Sequence, residues 1–224
     1  MQPRELQQRL EDLYEVRTAC DVDAFLITDP HLAAALDTGP GARAVPEKLL
    51  VHQQDDELSL SLFLDRDLLD ALEADSPARR LHEGNLGAFW TALEGVSHFV
   101  YLVWNARHDR PVSRFELELQ AEVDKYVMAA SLLAEQRGGR LPEALHAILF
   151  EDAGFDPSLG REERERYVRA SNYAGRYCGA LHRHLIRCAS ARRATRELRR
   201  FYRLSRQHKL NRIRHSAFHY DRPL

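Results

Sequence analysis

The sequence has few cysteines and few lysines. Its three cysteines, Cys20, Cys178 and Cys188, are too few and too scattered to predict a disulfide framework or a zinc site. Only three lysines accompany 29 arginines. A bias in the coding DNA explains this excess of arginine as well as selection does. The position of each arginine therefore bears on function more than the choice of arginine over lysine.

Long apolar runs are also missing. No stretch approaches the roughly 20 apolar residues that a membrane-spanning helix needs. The first 16 residues are polar and charged, and they lack the apolar core of a secretory signal. From these two absences we predict that the chain does not span a membrane and that it is cytoplasmic. Nothing in the sequence indicates an oligomeric state, so we make no prediction of it.

The common motifs of nucleotide-dependent and hydrolytic enzymes do not occur. The sequence contains no Gly-x-Gly-x-x-Gly, no phosphate-binding Gly-x-x-x-x-Gly-Lys-Ser/Thr, no Gly-x-Ser-x-Gly and no His-Glu-x-x-His. These absences do not exclude an enzyme, but they lower the rank of the common catalytic classes. We therefore favour a non-enzymatic function without a cofactor.

The residues that are present predict an α+β fold dominated by helices. Alternating apolar residues predict a small three-stranded antiparallel unit with two short helices over residues 1–75. Asp29 and Asp65 are expected to cap the two short helices, because an aspartate accepts hydrogen bonds from the first turn of a helix. The strands are predicted at residues 22–28, 48–53 and 57–64.

Residues 76–224 are predicted to form a helical bundle. An apolar helix is expected over residues 82–106, and Ser113 with Glu116 has the spacing of a capping box that begins the next helix. A shorter helix should follow from Pro142, and two long basic helices should occupy residues 166–215. We place a domain boundary near residue 76, although the same elements could also form one compact domain.

Charge is distributed unevenly along the chain. Residues 1–165 hold 16 basic and 32 acidic side chains, whereas residues 166–224 hold 16 basic and 2 acidic ones. One interpretation is that the two regions attract each other within the fold. The other is that the basic region binds an external polyanion.

Seven arginines within 15 residues are the candidate binding residues. A partner would be RNA or single-stranded DNA, because arginine neutralises phosphates and aromatic residues that could stack on bases are interleaved. An acidic protein is an equally good partner. The arginines are Arg192, Arg193, Arg196, Arg199, Arg200, Arg203 and Arg206, and the aromatic residues are Tyr167, Tyr173, Tyr177, Phe201, Tyr202, Phe218 and Tyr220.

The alternative function is that of a helical metalloprotein, a diiron-like oxidoreductase or a hydrolase. Bundles that hold two iron or manganese ions use glutamates and two Glu-x-x-His pairs. This chain has one such pair, so we predict that it binds no stoichiometric iron, manganese or zinc. The residues of this alternative are Glu94, His98, Glu118, Glu122, Glu143 and His146.

A cysteine nucleophile is a further alternative. Cys178 is one helical turn from His182 and close in sequence to His184, so an imidazole could contact the thiol. Cysteine nucleophiles are more often paired with a base from a distant segment, and an unpaired cysteine is usually a core residue. We therefore favour a structural role for Cys178.

Overall fold

A computed structural model describes residues 1–37, 45–54, 57–151, 159–188 and 191–219. Within them it confirms the predicted fold class, with nine α-helices and one three-stranded sheet. The chain falls into two compact units, one of residues 1–11 and 17–111 and the other of residues 12–16 and 112–224. Compactness does not show that either unit folds alone, so the boundary near residue 76 stays a prediction.

The sheet of the first unit contains β1 (Leu26–Ile27), β2 (Glu47–Gln54) and β3 (Glu57–Leu64). The β2–β3 hairpin is antiparallel, as predicted, with Glu47 opposite Leu64. The prediction for β1 was wrong, because β1 pairs parallel with β3 and the strand order is β1-β3-β2. Alternation of apolar residues indicates which face of a strand is buried, but it does not indicate which strand lies beside it.

The first predicted strand is also much shorter than expected. Residues Val22–Ala24 form a 3-10 turn, and only two residues of the predicted segment pair as a strand. The carboxylate of Asp21 accepts a 3.1 Å hydrogen bond from the backbone N–H of Asp23, which stabilises the turn. Local capping therefore competes successfully with the β propensity of the segment.

The first unit also contains helices, of which two have the predicted caps. Asp29 Oδ1 accepts from the backbone N–H of His31 at 2.8 Å, and Asp65 Oδ1 accepts from that of Asp67 at 2.9 Å. These contacts satisfy backbone donors that the first turn of a helix cannot pair. The helices are α1 (Pro3–Tyr14), α2 (Pro30–Leu36), α3 (Arg66–Ala74) and α4 (Glu83–Ala106).

Helix α4 is the most apolar of the three long helices of the described chain, α4, α5 (Arg114–Gln136) and α7 (Arg161–Cys188). It is long and apolar enough to cross a membrane, but 61% of its most apolar window is buried inside the structure, as in the core helix of a globular protein. Gly95 allows α4 to approach the sheet, because a Cβ atom at this position would lie 2.9 Å from Leu62 Cδ1. Helix α4 therefore packs on β2 and β3 within the first unit.

The second unit consists of helices together with the end of α1. Its two longest helices, α5 (Arg114–Gln136) and α7 (Arg161–Cys188), pack against each other. The predicted capping box is confirmed: Ser113 Oγ accepts from the backbone N–H of Glu116, and Glu116 Oε2 accepts from that of Ser113 at 3.0 Å. The helices are α5 (Arg114–Gln136), α6 (Leu145–Phe150), α7 (Arg161–Cys188), α8 (Ala191–Tyr202) and α9 (Arg206–His219).

Two details of the bundle differ from the prediction. The helix expected from Pro142 begins at Leu145, with no side-chain cap. The basic region forms three helices rather than two, because the helix is interrupted between Tyr202 and Arg206. Ser205 lies in this break, and its backbone carbonyl accepts a 2.8 Å hydrogen bond from the N–H of Lys209 in the first turn of α9.

Candidate polyanion-binding cleft on helix α8

Five of the seven candidate arginines lie together in the second unit. They line an open cleft of about 600 Å³ with Glu15 and Thr195, and we refer to it as the Arg cleft. Apart from Glu15, no acidic residue of the described part of the chain lines the cleft. The arginines are Arg192, Arg196, Arg199, Arg200 and Arg203.

The sequence of α8 explains why these arginines share a surface. The apolar residues Ala194, Leu198 and Phe201 are buried, so they fix the inner face of the helix. Residues on the opposite side point to solvent, as the 3.6-residue period requires. Three of the arginines are four residues apart, which places one on each turn at intervals of about 6 Å. They are Arg192, Arg196 and Arg200.

Arg199 and Arg203 hold the end of α1. Arg199 Nε donates to the carbonyl of Leu13 at 2.8 Å, and its Nη1 lies 2.5 Å from Glu15 Oε1. Arg203 Nη2 donates to the carbonyl of Glu15 at 2.9 Å. Carbonyls at the end of a helix lack intrahelical donors, so these contacts satisfy them. Glu15 has a φ of 50°, in the left-handed region that often ends a helix.

The other three arginines of the cleft behave differently. The side chains of Arg192, Arg196 and Arg200 are exposed, and none forms a hydrogen bond or ion pair with another residue in the part of the chain that the structure describes. Three cations thus face the same cleft beside one carboxylate, that of Glu15, which Arg199 neutralises. The result is a concentrated positive surface.

Two candidate arginines do not line the cleft. Arg193 is close enough to His184 to contribute, after burial, to the lowered pKa of that imidazole. The guanidinium of Arg206 lies 5.5 Å from the ring centroid of Phe115. The sequence spacing grouped these residues with the others, but Arg193 lies towards His184 and Arg206 belongs to α9.

The aromatic residues of the basic region whose side chains the structure describes do not line the cleft either. Tyr177 and Phe201 are buried and stack on each other with ring centroids 4.0 Å apart, and Tyr202 stacks on Tyr14 at 4.1 Å. Tyr173 accepts a 3.4 Å hydrogen bond from Arg214 away from the cleft. The other candidates are Tyr167, which lies beneath Arg166, Phe218, whose side chain is outside the described part, and Tyr220, which lies outside the described residues.

The residues of the metal alternative are divided between the two units. Glu94 and His98 lie one turn apart on α4 in the first unit, and the other four residues lie in the second. There, Glu118 lies 3.8 Å from Arg166 and Glu122 bonds Lys125 at 2.8 Å.

The Glu-x-x-His pair of this alternative lies at α6. His146 Nε2 is 2.8 Å from the carbonyl of Gly175, and Glu143 is exposed just before the helix. These contacts give His146 a structural role in joining α6 to α7. The metalloprotein alternative itself stays a prediction.

Cys178 is a core thiol, as favoured. It is fully buried, and burial raises its pKa well above the usual value, with further contributions from the carboxylates of Glu122 and Asp124. A thiol with a raised pKa stays protonated at neutral pH, whereas a nucleophile must be a thiolate. The Nδ1 atom of His182 pairs with Tyr126 Oη at 2.7 Å, so this nitrogen is not available to the thiol.

A buried polar network in the second unit was not predicted. Lys209 is completely buried, and its Nζ donates to Gln120 Oε1 at 2.6 Å. Gln120 Nε2 donates to Asp124 Oδ1 at 2.8 Å, and the hydroxyl of Tyr14 donates to the same oxygen. The ammonium of Lys209 also lies over the ring of Phe201, 5.0 Å from the centroid. This network therefore joins α9, α5, α8 and the end of α1.

The pKa of Lys209 is lowered to about 7. Burial is the main cause, and the carboxylates of Asp124 and Glu116 oppose it. The sequence held one signal of this site, because Lys209 is the only lysine among the 16 basic residues of 166–224. Arginine stays charged in proteins, so a lone lysine can indicate a position where the proton is lost.

Comparisons with known family models, with curated proteins and with solved structures found no match.

Proposed function

We propose that this chain is a non-enzymatic binding protein whose Arg cleft engages a nucleic-acid strand, RNA or single-stranded DNA. The observation that carries the proposal is the set of three exposed arginines without a described partner, Arg192, Arg196 and Arg200. Pairing within the fold uses Arg199 and Arg203 and leaves these three for an external anion.

Electrostatics favours a ligand with several negative charges. Like charges four residues apart on a helix repel each other and destabilise it slightly. A polyanion removes this repulsion and gains further free energy, because condensed counterions are released when arginines neutralise its phosphates. Anchoring of α8 through Arg199 and Arg203 keeps the three exposed arginines on one rigid surface.

A binding function fits the location of the reactive groups better than catalysis does. Cys178 and Lys209 are buried, and His182 is paired with Tyr126. The cleft itself is lined by arginines, Thr195 and an ion-paired Glu15. General acid–base or nucleophilic catalysis needs a titratable group that substrate can reach. Among the described lining residues, the cleft offers positive charge for binding, and its one carboxylate, that of Glu15, is engaged by Arg199.

The test is a fluorescence anisotropy titration with labelled single strands of RNA and DNA at about 50 and 200 mM salt. The variant combines Arg192→Gln, Arg196→Gln and Arg200→Gln. We expect weaker binding and a salt dependence whose slope is smaller by about 2, since each phosphate contact on a single strand contributes about 0.7. Its stability should change by less than about 0.5 kcal/mol, as for other exposed charges.

A matched control removes three exposed arginines elsewhere in the second unit: Arg137→Gln, Arg140→Gln and Arg164→Gln. It changes the net charge equally and should keep most of the affinity. Equal losses in both variants would show that net charge, and not the cleft, drives binding. If the wild-type protein binds neither strand at low salt, the nucleic-acid ligand is rejected and an acidic protein becomes the leading partner.

A further inference from the structure

We infer that the Arg cleft recognises only the phosphate backbone of a strand. Its ligand class is therefore a flexible chain of phosphate groups, and the bases attached to that chain do not matter for binding. This inference rests on the proposed function. It specifies which part of a strand the cleft contacts, and it follows from the chemistry of the lining residues, from the location of the aromatic rings and from the spacing of the arginines.

The lining contains few groups that could read a base. Base edges are distinguished by asparagine, glutamine, acidic side chains or arginines held in a fixed orientation. No asparagine or glutamine is among the described residues that line the cleft, and Glu15 is engaged by Arg199. The hydroxyl of Thr195 donates to the carbonyl of Ala191 in its own helix at 3.0 Å.

Arginine can read guanine through two parallel hydrogen bonds, but this requires a guanidinium whose orientation is fixed. Arg192, Arg196 and Arg200 have no hydrogen bond to any described residue that would fix them. An unfixed guanidinium still attracts a phosphate, because this attraction depends on charge and tolerates many orientations. The three side chains are therefore suited to phosphates and not to base edges.

Among the residues that the structure describes, no aromatic ring is available at the cleft for stacking on bases. Proteins that bind single strands through their bases use exposed aromatic rings as platforms. The aromatic residues of α8, Phe201 and Tyr202, are each 1% exposed and already stack on Tyr177 and Tyr14. No aromatic residue is among the lining residues that the structure describes.

The spacing of the arginines suits consecutive phosphates. One arginine per turn places three cations along about 12 Å of the outer face of α8. Arg199 and Arg203 are held at the end of α1, so the cleft can contact about three phosphates through the other arginines. The predicted salt dependence for a single strand therefore has a slope of about −2.

The experiment is a competition against a labelled DNA strand bound to the full chain. The competitors are homopolymer strands of each base, an abasic strand of equal length, inorganic polyphosphate with the same number of phosphates, and a peptide nucleic acid with the same bases. We expect the strands, the abasic strand and the polyphosphate to displace the label within about threefold of each other. The uncharged peptide nucleic acid should not displace it.

Three results would overturn the inference. Homopolymers that differ by more than tenfold, or displacement by peptide nucleic acid, would show that bases are read. Failure of polyphosphate while the abasic strand competes would show that the sugar is recognised. Failure of the proposed function gives a different result, because no labelled strand would then bind at low salt. The Arg192, Arg196 and Arg200 triple variant should lose affinity for polyphosphate and for strands alike.

Discussion

The two sides of helix α8 differ in whether their positive charges are exposed or buried. On the outer side, Arg192, Arg196 and Arg200 are exposed to solvent along the Arg cleft. On the inner side, the ammonium of Lys209 lies against Phe201, buried and hydrogen-bonded to Gln120. The comparison shows that burial decides whether a cation can serve an external ligand or must be matched within the fold.

The physical difference is the cost of removing a charge from water. An exposed guanidinium keeps its hydration, so its free-energy contribution to folding is small. A buried ammonium loses its hydration. Either hydrogen bonds and opposite charges nearby compensate for this loss, or the group loses its proton. The lowered pKa of Lys209 is the direct consequence of this cost. We expect substitutions on the inner side to change stability and those on the outer side to change binding.

The largest effect is predicted for Asp124→Ala. Asp124 accepts hydrogen bonds from Tyr14 and Gln120, and its carboxylate is the main group that opposes the lowering of the pKa of Lys209. Its removal leaves buried donors unpaired, so the free energy of unfolding should fall by about 3 kcal/mol. Urea unfolding measures this change. Glu135→Ala, an exposed change on the same helix, is the control and should cost less than about 0.5 kcal/mol.

An intermediate effect is predicted for Lys209→Met. The wild-type protein should gain stability as the pH rises, and the variant should lack this gain. The folded protein loses this proton at a pH of about 7, whereas an unfolded lysine keeps it to about pH 10. Between these values the unfolded state binds more protons, so the wild-type protein should become more stable as the pH rises. The gain should be on the order of 2 kcal/mol between pH 6.5 and 8.5.

The measurement compares urea unfolding of the two proteins across this pH range. His182, His184, Cys178 and Tyr14 also have shifted pKa values, but they are present in both proteins and cancel in the difference. A difference between the two stability curves that is flat from pH 6.5 to 8.5 would contradict the assignment to Lys209.

The smallest effect is predicted for Glu15→Gln, at the edge of the Arg cleft. The ion pair of Glu15 with Arg199 is partly exposed, so its loss should lower stability by less than about 1 kcal/mol. If the cleft binds phosphates, the variant releases Arg199 for one further contact. Affinity for a single strand should then rise a fewfold, and the salt slope should become steeper by about 0.7.

The matched control for this change is Glu135→Gln, which alters the net charge equally away from the cleft. An affinity that rises equally in both variants would indicate a long-range effect of net charge. An unchanged or lower affinity in Glu15→Gln alone would mean that Arg199 remains committed to the end of α1 through the carbonyl of Leu13.

Local features of the fold could be predicted because they depend on neighbouring residues. The caps at Asp29, Asp65 and Ser113 are confirmed, since a cap is decided within about four residues of the chain. The pairing of β1 with β3 could not be predicted, because it joins residues 36 positions apart, as Leu26 and Leu62 are. Such pairing depends on how the intervening elements pack.

The sequence by itself determined that the outer face of α8 is a row of arginines, because residues four apart share a face of any helix. Only the tertiary structure decided which of them remain unpaired. The ion pair of Arg199 with Glu15 joins residues 184 positions apart, and Lys209 meets Gln120 across 89. Periodicity fixes directions around one helix, whereas the partner and the burial of a charge depend on packing between distant segments.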